Sequence, residues 1–450
     1  MLKKQRILES LHEIAKTRSF DRILVSYHGS NTWVTKFANQ RISQNLKEEN
    51  AEIFIKVVNK NRVGVSATNT LHKDDLQKAL SHAVNISKVA PENPALTKFA
   101  KPALPKKIKT YFEETLKFSL LDKAEMIKDA FDRTAKRKLT LSGTIITNVD
   151  EMAVVSSDGI KTYQPFSAMS CKFIPTDGKN TGFASALSRD INKIDFDGTL
   201  ELAIEKCLQN KNQEDLELGK YDCILEPDAV AEILEWLGYI GFGAKRVMER
   251  TSFLTANLGR KIMGGNITIY DDGLNPDGFA LPFDYEGNPR KKIALIEKGV
   301  AKDFVLDNHY GYLYKKSSSG HGLSPGEIEG PLPLNLAMEK GDKTLDEMKK
   351  SLKKGILITR FHYVNGFLNP REALMTGLTR DGTFLIENGK IKKALKNLRF
   401  TQSILEAFSK VVSISKERKL VGDPAQNIGA CLCPALFIKD FKFTGKTSNS

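Results

Sequence analysis

The chain of 450 residues is long enough for two or three domains, and its 41% hydrophobic and 27% charged content is typical of an ordinary soluble protein. No apolar run approaches the roughly 20 residues of a membrane-spanning helix, and the basic start at Met1–Arg6 has no apolar segment behind it, so we expect a cytoplasmic protein with no membrane partner. The five scattered cysteines argue against a disulfide framework.

The formal net charge of +14 raises the question of a polyanionic partner. The lysines lie along the whole chain among acidic residues, and the densest groups are Lys349-Lys350, Lys353-Lys354 and Lys392-Lys393. No aromatic residues alternate with them for base stacking, and no helix-turn-helix, RNP or zinc-finger pattern is present. The composition therefore favours a solvated surface over a nucleic-acid-binding one.

The first 90 residues have the pattern of an α+β domain. An opening amphipathic helix places Leu8, Leu11, Ile14 and Ala15 on one face, and Leu76, Leu80 and Val84 define a second helix. Between the helices lie four strand-like runs, Arg22–Tyr27, Trp33–Phe37, Glu52–Val58 and Arg62–Ala67.

A proline-rich, basic segment follows this first unit and predicts a linker over residues 89–109. The central segment 110–216 begins with a helix over Leu120–Lys136 and ends with another over Asp197–Gln209. Strand-like stretches between the two helices alternate with predicted turns at Asn148-Val149-Asp150, Asp158-Gly159 and Asp177-Gly178.

From Gly219 the pattern predicts a strand that leads into a helix with Pro227 in its first turn. Residues 315–325 are predicted to be a polar, flexible loop, and the tail after Gly445 is predicted to be disordered. Between them, Asp381-Gly382 and Asn388-Gly389 predict two hairpin turns in a three-stranded meander. A helix follows, with Ser403 and Glu406 as a capping box and an apolar face formed by Ile404, Leu405, Phe408, Val411 and Val412.

These patterns predict an α+β fold with mixed, mainly antiparallel sheets covered by helices. We expect an N-terminal α+β domain over residues 1–90, the central segment 110–216 packed with it, and a larger β-rich C-terminal domain over residues 219–445.

Several long runs resemble the TldD/PmbA family, which is also called TldD/TldE and, by an older label, modulators of DNA gyrase. The runs are TRFHYVNGF from Thr359, TGLTRDGTFLIENGKI from Thr376, KNLRFTQSILEAF from Lys396, TKFANQRISQN from Thr35 and SSDGIKTYQ from Ser156. The resemblance implies a metallopeptidase scaffold. In its catalytic, TldD-like branch an HExxxH helix holds zinc and a further cysteine supplies a third ligand.

The corresponding helix here, EILEWLGYIGFGAKRVMER, contains no histidine, and Glu235 is followed by Trp236 and Leu237. The chain is thus more similar to the TldE/PmbA-like branch. That resemblance implies no catalytic residue, no metal ligand and no cofactor in this chain alone, with zinc held by a TldD-like partner subunit. It further implies a heterodimer with that partner, or a homodimer, and proteolysis by the pair of unfolded or extended peptides added as a β-strand. Alone, the chain is expected to be inactive.

Two sets of residues are candidates for contact with such a peptide. Arg360, Phe361, His362 and Tyr363 combine a cation, an imidazole and two aromatic rings in one strand, and a loop at the rim offers Ser319, Gly320 and His321. A structural alternative exists for each, because strand aromatics can be core residues and Arg360 can pair with a buried carboxylate.

Two other functions remain open from the sequence. One is an active metallopeptidase with a noncontiguous metal site built from His309, His321, His362 and Cys431 or Cys433. The other is a basic protein that binds nucleic acid or modulates DNA gyrase.

Overall fold

The computed structural model describes residues 4–17, 19–424 and 429–446. Of the tail that is predicted to be disordered after Gly445, Lys446 is described and residues 447–450 lie outside the described residues. No helix within these ranges is both long enough and apolar enough to cross a membrane. Helices and antiparallel and mixed sheets occur together, which confirms the predicted α+β class.

The N-terminal half, up to residue 216, contains one six-stranded antiparallel sheet of order β3-β2-β1-β4-β5-β6. Its strands are β1 Arg22–Ala38, β2 Arg41–Asn59, β3 Arg62–Thr68, β4 Thr140–Ser156, β5 Lys161–Thr176 and β6 Ala184–Ser188. β1 pairs with β2 on one side and with β4 on the other, so the segments before and after residues 90–112 share a single sheet. The two strand-like runs predicted within residues 22–37 are therefore one continuous strand.

Five helices cover one face of this sheet. They are α1 Lys4–Ala15, α2 Lys73–Val89, α3 Glu113–Lys117, α4 Leu120–Lys136 and α5 Phe196–Gln209. Side chains alternate between the faces of a strand, so Val25 and Ala153 pack under helices, whereas Leu24 and Val154 point to the opposite face. That opposite face packs against Phe283 of the C-terminal half.

The C-terminal half, from residue 219, is built on an eleven-stranded mixed sheet. Its strands are β7 Gly219–Leu225, β8 Ile269–Asp271, β9 Ile293–Glu297, β10 Val300–Ala301, β11 Leu336–Met338, β12 Lys354–Asn369, β13 Leu374–Glu387, β14 Lys390–Ala394, β15 Leu398–Ser403, β16 Val411–Gly422 and β17 Ala430–Lys446. Its helices are α6 Pro227–Gly241, α7 Ala244–Met248, α8 Asn308–Leu313, α9 Leu345–Ser351 and α10 Ile404–Ser409.

Five strands of this sheet close into a ring. The order β17-β15-β13-β12-β7 returns to its start because β7 also pairs with β17. Closure removes free strand edges, and large aromatic side chains fill the interior. Phe361, Phe400 and Phe441 are in mutual ring contact there, with centroids 4.7–6.1 Å apart.

Two turns predicted from local sequence are wrong. Residues 148–150 lie inside β4, where the Asn148 amide donates to the Thr32 hydroxyl at 3.0 Å and to the Pro424 carbonyl at 3.2 Å. Asp381 and Gly382 lie inside β13 as a β-bulge, because the register places both opposite Thr359 alone. Both have positive φ, 54° and 134°, so the backbone preference was real but served a bulge.

The remaining local predictions have mixed outcomes. The helix over Leu120–Lys136 is confirmed, and so is the turn at Asn388-Gly389 between β13 and β14. The helix predicted after Ser403 ends at Ser409, and Val411 already begins β16. Ser403 accepts a hydrogen bond from the Glu406 amide at 3.4 Å, which is one half of a capping box.

Candidate functional site

α6 begins at the interface between the two halves of the molecule. Pro227 occupies the first turn, where its missing N–H costs nothing. The buried residues include Val230, Ile233, Leu234 and Leu237, which pack α6 onto the C-terminal sheet. Glu226, just before the helix, forms a buried ion pair with Lys206 of α5, so the helix start is fixed to the N-terminal half.

Glu232 and Glu235 lie on the side of α6 that is not packed on the sheet. They are three residues apart and therefore on one helix face. Burial, followed by repulsion from Glu235, raises the pKa of Glu232 to about 7, although Arg360 and Lys172 act in the opposite direction. Desolvation also raises the pKa of Glu235, whose side chain is nevertheless accessible to water. We call the surface formed by Glu232, Glu235 and the residues packed beside them the α6 face.

Arg360 closes one side of the α6 face through a buried carboxylate. Its Nε donates to Asp381 Oδ2 at 2.7 Å, and its guanidinium lies 4.4 Å from the centre of the Phe183 ring. Thr181 of the N-terminal half donates to the other oxygen of Asp381 at 2.6 Å. One aspartate thus joins the two halves beside the two glutamates.

An aromatic cluster closes the other side. The rings of Trp236, Tyr239 and Phe367 contact one another edge to face, with centroids 5.3–6.0 Å apart. Phe367 is 52% exposed, and Tyr363, on the same strand β12, is 76% exposed. Tyr363 has a φ of 51° and lies at a bulge in β12, which explains why it points away from the ring interior.

Two buried thiols lie on β17 near the α6 face. Cys431 and Cys433 are free cysteines two residues apart, so they share one side of the strand. The hydrogen bond to Cys433 and burial hold the pKa of Cys431 well above its usual range, and the negative charge of Glu235 acts in the same direction. Cys431 is therefore a neutral thiol at physiological pH.

The α6 face does not fit a zinc ion. Carboxylates and thiols can each bind zinc, but among the described residues no third donor is grouped with Glu232 and Glu235. Across residues 4–17, 19–424 and 429–446, no three His, Cys, Asp or Glu side chains are grouped so that they could hold a metal ion. His309, His321, His362, Cys431 and Cys433 all lie in these ranges, so the noncontiguous site considered above is not assembled.

The structure separates the candidate residues of β12. Phe361 is buried in the strand ring, so it is a core residue and does not face a ligand. Arg360 is paired with Asp381, as the structural alternative anticipated. His362 contacts the Tyr363 ring at 3.9 Å between centroids, and burial together with Arg380 and Arg360 lowers its pKa. His362 and Tyr363 are therefore the members of this group that remain accessible.

The loop expected at the rim is buried instead. His321 Nε2 lies 2.8 Å from Asp271 Oδ1, and its Nδ1 lies 2.9 Å from the Ser319 hydroxyl. The His321 and Asp271 side chains have no exposed surface, and Ser319 Oγ is also bonded to the backbone of Leu306. Gly320 adopts a φ of 81° and packs against Pro289. This Ser-His-Asp group is a structural network, because no substrate can reach it.

The sequence analysis did not identify Glu232, nor the contacts by which Asp381 joins Arg360 to Thr181. The spacing Glu232-x-x-Glu235 is visible in the sequence, but nothing local indicates that this helix face lies against cations from β12 and β5. Asp381 was hidden by its reading as a turn residue.

Comparison with known proteins adds to this geometry. Residues 218–445, about half of the chain, match the family described as PmbA/TldA metallopeptidase C-terminal domain. The whole chain is similar to a protein named metalloprotease TldD homolog from Buchnera aphidicola subsp. Acyrthosiphon pisum, with 24% identity over 94% of this chain and 92% of the relative.

Two solved structures have the same fold. TldE from Thermococcus kodakarensis superposes with a TM-score of 0.86 at 20% identity, over 98% of this chain and 99% of that one. A proposed modulator of a DNA gyrase from Thermotoga maritima gives 0.85 at 19% identity, over 98% and 100%.

Proposed function

This chain belongs to the PmbA/TldD metallopeptidase family, and from that premise we propose that it is a noncatalytic, TldE-like subunit of a zinc peptidase. The names of the similar proteins do not decide between the branches, because both TldD and TldE occur among them. The proposal is carried instead by one observation, the residues on the α6 face of this chain.

The HExxxH pattern requires two histidines that flank a glutamate on one helix. If Glu232 is taken as that glutamate, Ala231 and Trp236 occupy the two histidine positions. Ala231 is buried and offers no donor, and Trp236 packs against Phe367. This donor set supports a subunit that shapes the site while the partner supplies the metal-bound water.

A free strand edge supports an extended peptide as the ligand of the pair. β2 pairs with β3 only from Ile53 onwards. In the part of the chain that the structure describes, residues 41–52 therefore pair with β1 alone and leave their other edge free. Such an edge can accept an added strand through main-chain hydrogen bonds, which read no particular sequence. The lysines and glutamates along it limit indiscriminate pairing.

The test is to purify the chain alone, an HExxxH-bearing relative from the same organism alone, and the two together. We expect no stoichiometric zinc and no cleavage of an unfolded protein such as reduced casein by the chain alone. The pair should form a complex in light scattering and cleave casein faster than the relative does by itself. Substituting the glutamate of the relative's HExxxH motif serves as the control, because it should abolish cleavage without dissociating the complex.

Stoichiometric zinc with cleavage activity in the chain alone would overturn the proposal in favour of an active metallopeptidase. A pair that never forms, together with a homodimer of this chain, would reject the heterodimer.

A further inference from the structure

A cleft of about 360 Å³ lies between the two halves of the molecule, on the other side of β16 from the α6 face. Side chains alternate along β16: Arg418 and Leu420 line the cleft, whereas Lys419 between them pairs with Asp228 of α6. The opposite wall is the end of β6 and the residues after it. We call this space the basic cleft.

The walls of the basic cleft carry an excess of positive charge. Six cations line it, Lys109, Arg189, Lys193, Lys340, Lys416 and Arg418. The acidic residues in the lining are Asp190 and Asp277. In the part of the chain that the structure describes, Lys193 and Lys340 have no carboxylate within ion-pair distance, so their charges are free to meet a ligand.

Arg189 is a buried residue of this lining whose positive charge is only partly compensated. Its guanidinium lies between the rings of Phe166 and Phe279, 4.9 and 3.9 Å from their centres, and donates to the carbonyls of Ser167 and Ala280. Its Nε has no hydrogen-bond partner, and no carboxylate forms an ion pair with it in the described ranges. Burial lowers the pKa of Arg189 to about 9, so it stays charged at neutral pH.

A buried cation without a counter-charge is costly, and a bound anion relieves that cost. Asp150 is the acid whose charge acts on Arg189, and burial raises the pKa of Asp150 to about 7. Asp150 therefore offsets the charge of the guanidinium only in part at neutral pH. The incompletely compensated charge of Arg189 and the unpaired lysines both favour an anionic ligand.

The floor of the basic cleft is apolar. Leu187, Leu420 and Leu432 form it, together with Ala280. A free phosphate gains nothing from such a floor, whereas a chain with alternating acidic and apolar side chains can use both the walls and the floor. Phe112 is the aromatic residue of the lining, and Lys109 lies over one face of its ring at 4.4 Å, where a stacked base would have to displace it.

We propose that the basic cleft binds an acidic, leucine-containing segment of an extended polypeptide. Its carboxylates would lie between the lysines of the two walls, and its apolar side chains would rest on the leucine floor. This inference rests on the proposed function in one respect, because it takes an extended peptide to be the ligand of the chain.

The test measures binding by the chain alone, without the catalytic relative. The probe is a short fluorescein-labelled peptide of glutamate, leucine and glycine, and fluorescence anisotropy reports its affinity. The variant is the triple substitution Lys193→Gln, Lys340→Gln and Lys416→Gln, whose positions are exposed and therefore compatible with folding. We expect binding to weaken about tenfold, the sum of three exposed ion pairs.

The matched control removes three exposed lysines elsewhere, by Lys73→Gln, Lys128→Gln and Lys390→Gln. It changes the net charge equally and should leave the affinity unchanged. A version of the probe with glutamine for glutamate should bind weakly to every variant. Inorganic phosphate and an oligothymidylate serve as competitors, and neither should displace the probe at comparable concentration.

Equal affinity in the wild type and the cleft variant, or an equal loss in the control, would overturn the proposal. Displacement of the probe by the oligothymidylate that depends on the three cleft lysines would also overturn it and assign the cleft to nucleic acid. None of these measurements involves zinc or cleavage, so a failure of the cleft proposal can be distinguished from a failure of the subunit proposal.

Discussion

Asp381 connects the two halves of the molecule through both oxygens of one buried carboxylate. It accepts hydrogen bonds from Arg360 on one side and from Thr181 on the other. Its position depends on the bulge in β13, which gives Asp381 a positive φ and turns its side chain toward the domain interface. A carboxylate in this role accepts from a cation and a neutral donor at once, which an amide cannot reproduce.

We predict that Asp381→Asn lowers the free energy of unfolding by about 2 kcal/mol, because the charge of Arg360 loses its partner while the shape is kept. Urea denaturation measures the change. Asp132→Asn, at an exposed position of α4, is the control and should change stability by less than about 0.5 kcal/mol. An equal effect of the two substitutions would mean that the Asp381 junction contributes nothing specific.

Glu232 makes stability depend on pH in a direction opposite to that of an ordinary salt-bridged acid. Its pKa is raised from 4.5 to about 7 in the folded chain, so the folded state holds the proton more tightly than the unfolded state does. The group is neutral in both states below the lower value. Its contribution is lost as the pH rises from about 4.5 through 7, because the folded state must then bury a charge.

We predict that Glu232→Gln raises the free energy of unfolding at pH 8 by about 2 kcal/mol and has little effect at pH 4.5. Urea midpoints at the two pH values measure the difference. Glu205→Gln, at an exposed site of α5, should show no such pH-dependent gain. A gain for Glu232→Gln of the same size at both pH values would contradict the assignment of a raised pKa.

Local sequence located this site only in part. It indicated that Arg360 could pair with a buried carboxylate, and that Phe361 could be a core residue. It did not indicate which carboxylate, because Asp381 is 21 residues from Arg360 in the sequence. Asp381 also lies in a β-bulge, whereas its local sequence predicts a turn. Lys172 of β5 and Arg360 of β12, which partly offset the raised pKa of Glu232, are also brought beside it only by the tertiary fold.

At the scale of elements, α2 packs on β3 through a direct approach of the two backbones. A methyl group at Gly64 would lie 1.9 Å from the Ala83 carbonyl oxygen and 2.6 Å from the Ser87 amide nitrogen. Neither atom can move without shifting the helix, because both belong to its backbone. Glycine is required here by the closeness of two elements, whereas the φ of Gly64 is ordinary.

We therefore predict that Gly64→Ala lowers the free energy of unfolding by about 3 kcal/mol or more, since α2 must move away from the sheet. Thermal unfolding followed by circular dichroism measures the loss. Gly219→Ala is the matched control, because the nearest atom to an added methyl group there is a Tyr221 ring carbon at 3.8 Å. Similar melting temperatures for the two variants would show that the helix gives way easily.

The elements that sequence predicted correctly are those fixed by local interactions. α4 begins at a complete capping box between Ser119 and Asp122, and the turn at Asn388-Gly389 has positive φ at both residues, as its composition requires. Residues 148–150 failed because tertiary partners, Thr32 and Pro424, replace the local hydrogen bonds of a turn. The same nonlocal effect ends α10 at Ser409, where β16 gains β17 as a pairing partner.

At the scale of the whole molecule, each half provides what the other lacks. The N-terminal sheet covers one face with its own helices and leaves the other for Phe283 and its neighbours. The C-terminal ring closes on itself, yet α6 begins against α5 of the N-terminal half. The α+β class could be predicted from strand and helix patterns, but ring closure could not, because it depends on the pairing of β7 with β17 across about two hundred residues.

Among the described residues, Lys206 and Glu226 form the most deeply buried ion pair between the halves, with side chains 9% and 8% exposed. We predict that Lys206→Met destabilises the protein by about 3 kcal/mol, because Glu226 remains buried without a partner. The loss should also reduce the cooperativity between the halves, so that calorimetry resolves two transitions where the wild type gives one.

The double variant Lys206→Met, Glu226→Gln separates charge from packing. Removing both charges eliminates the unpaired carboxylate, so we expect it to recover most of the stability that the single variant loses and to restore a single calorimetric transition. If the double variant instead melts in two steps with stability as low as that of Lys206→Met, the attraction of the pair itself couples the two halves. In that case the α6 face and the basic cleft, which both lie where the halves meet, depend on one ion pair for their shape.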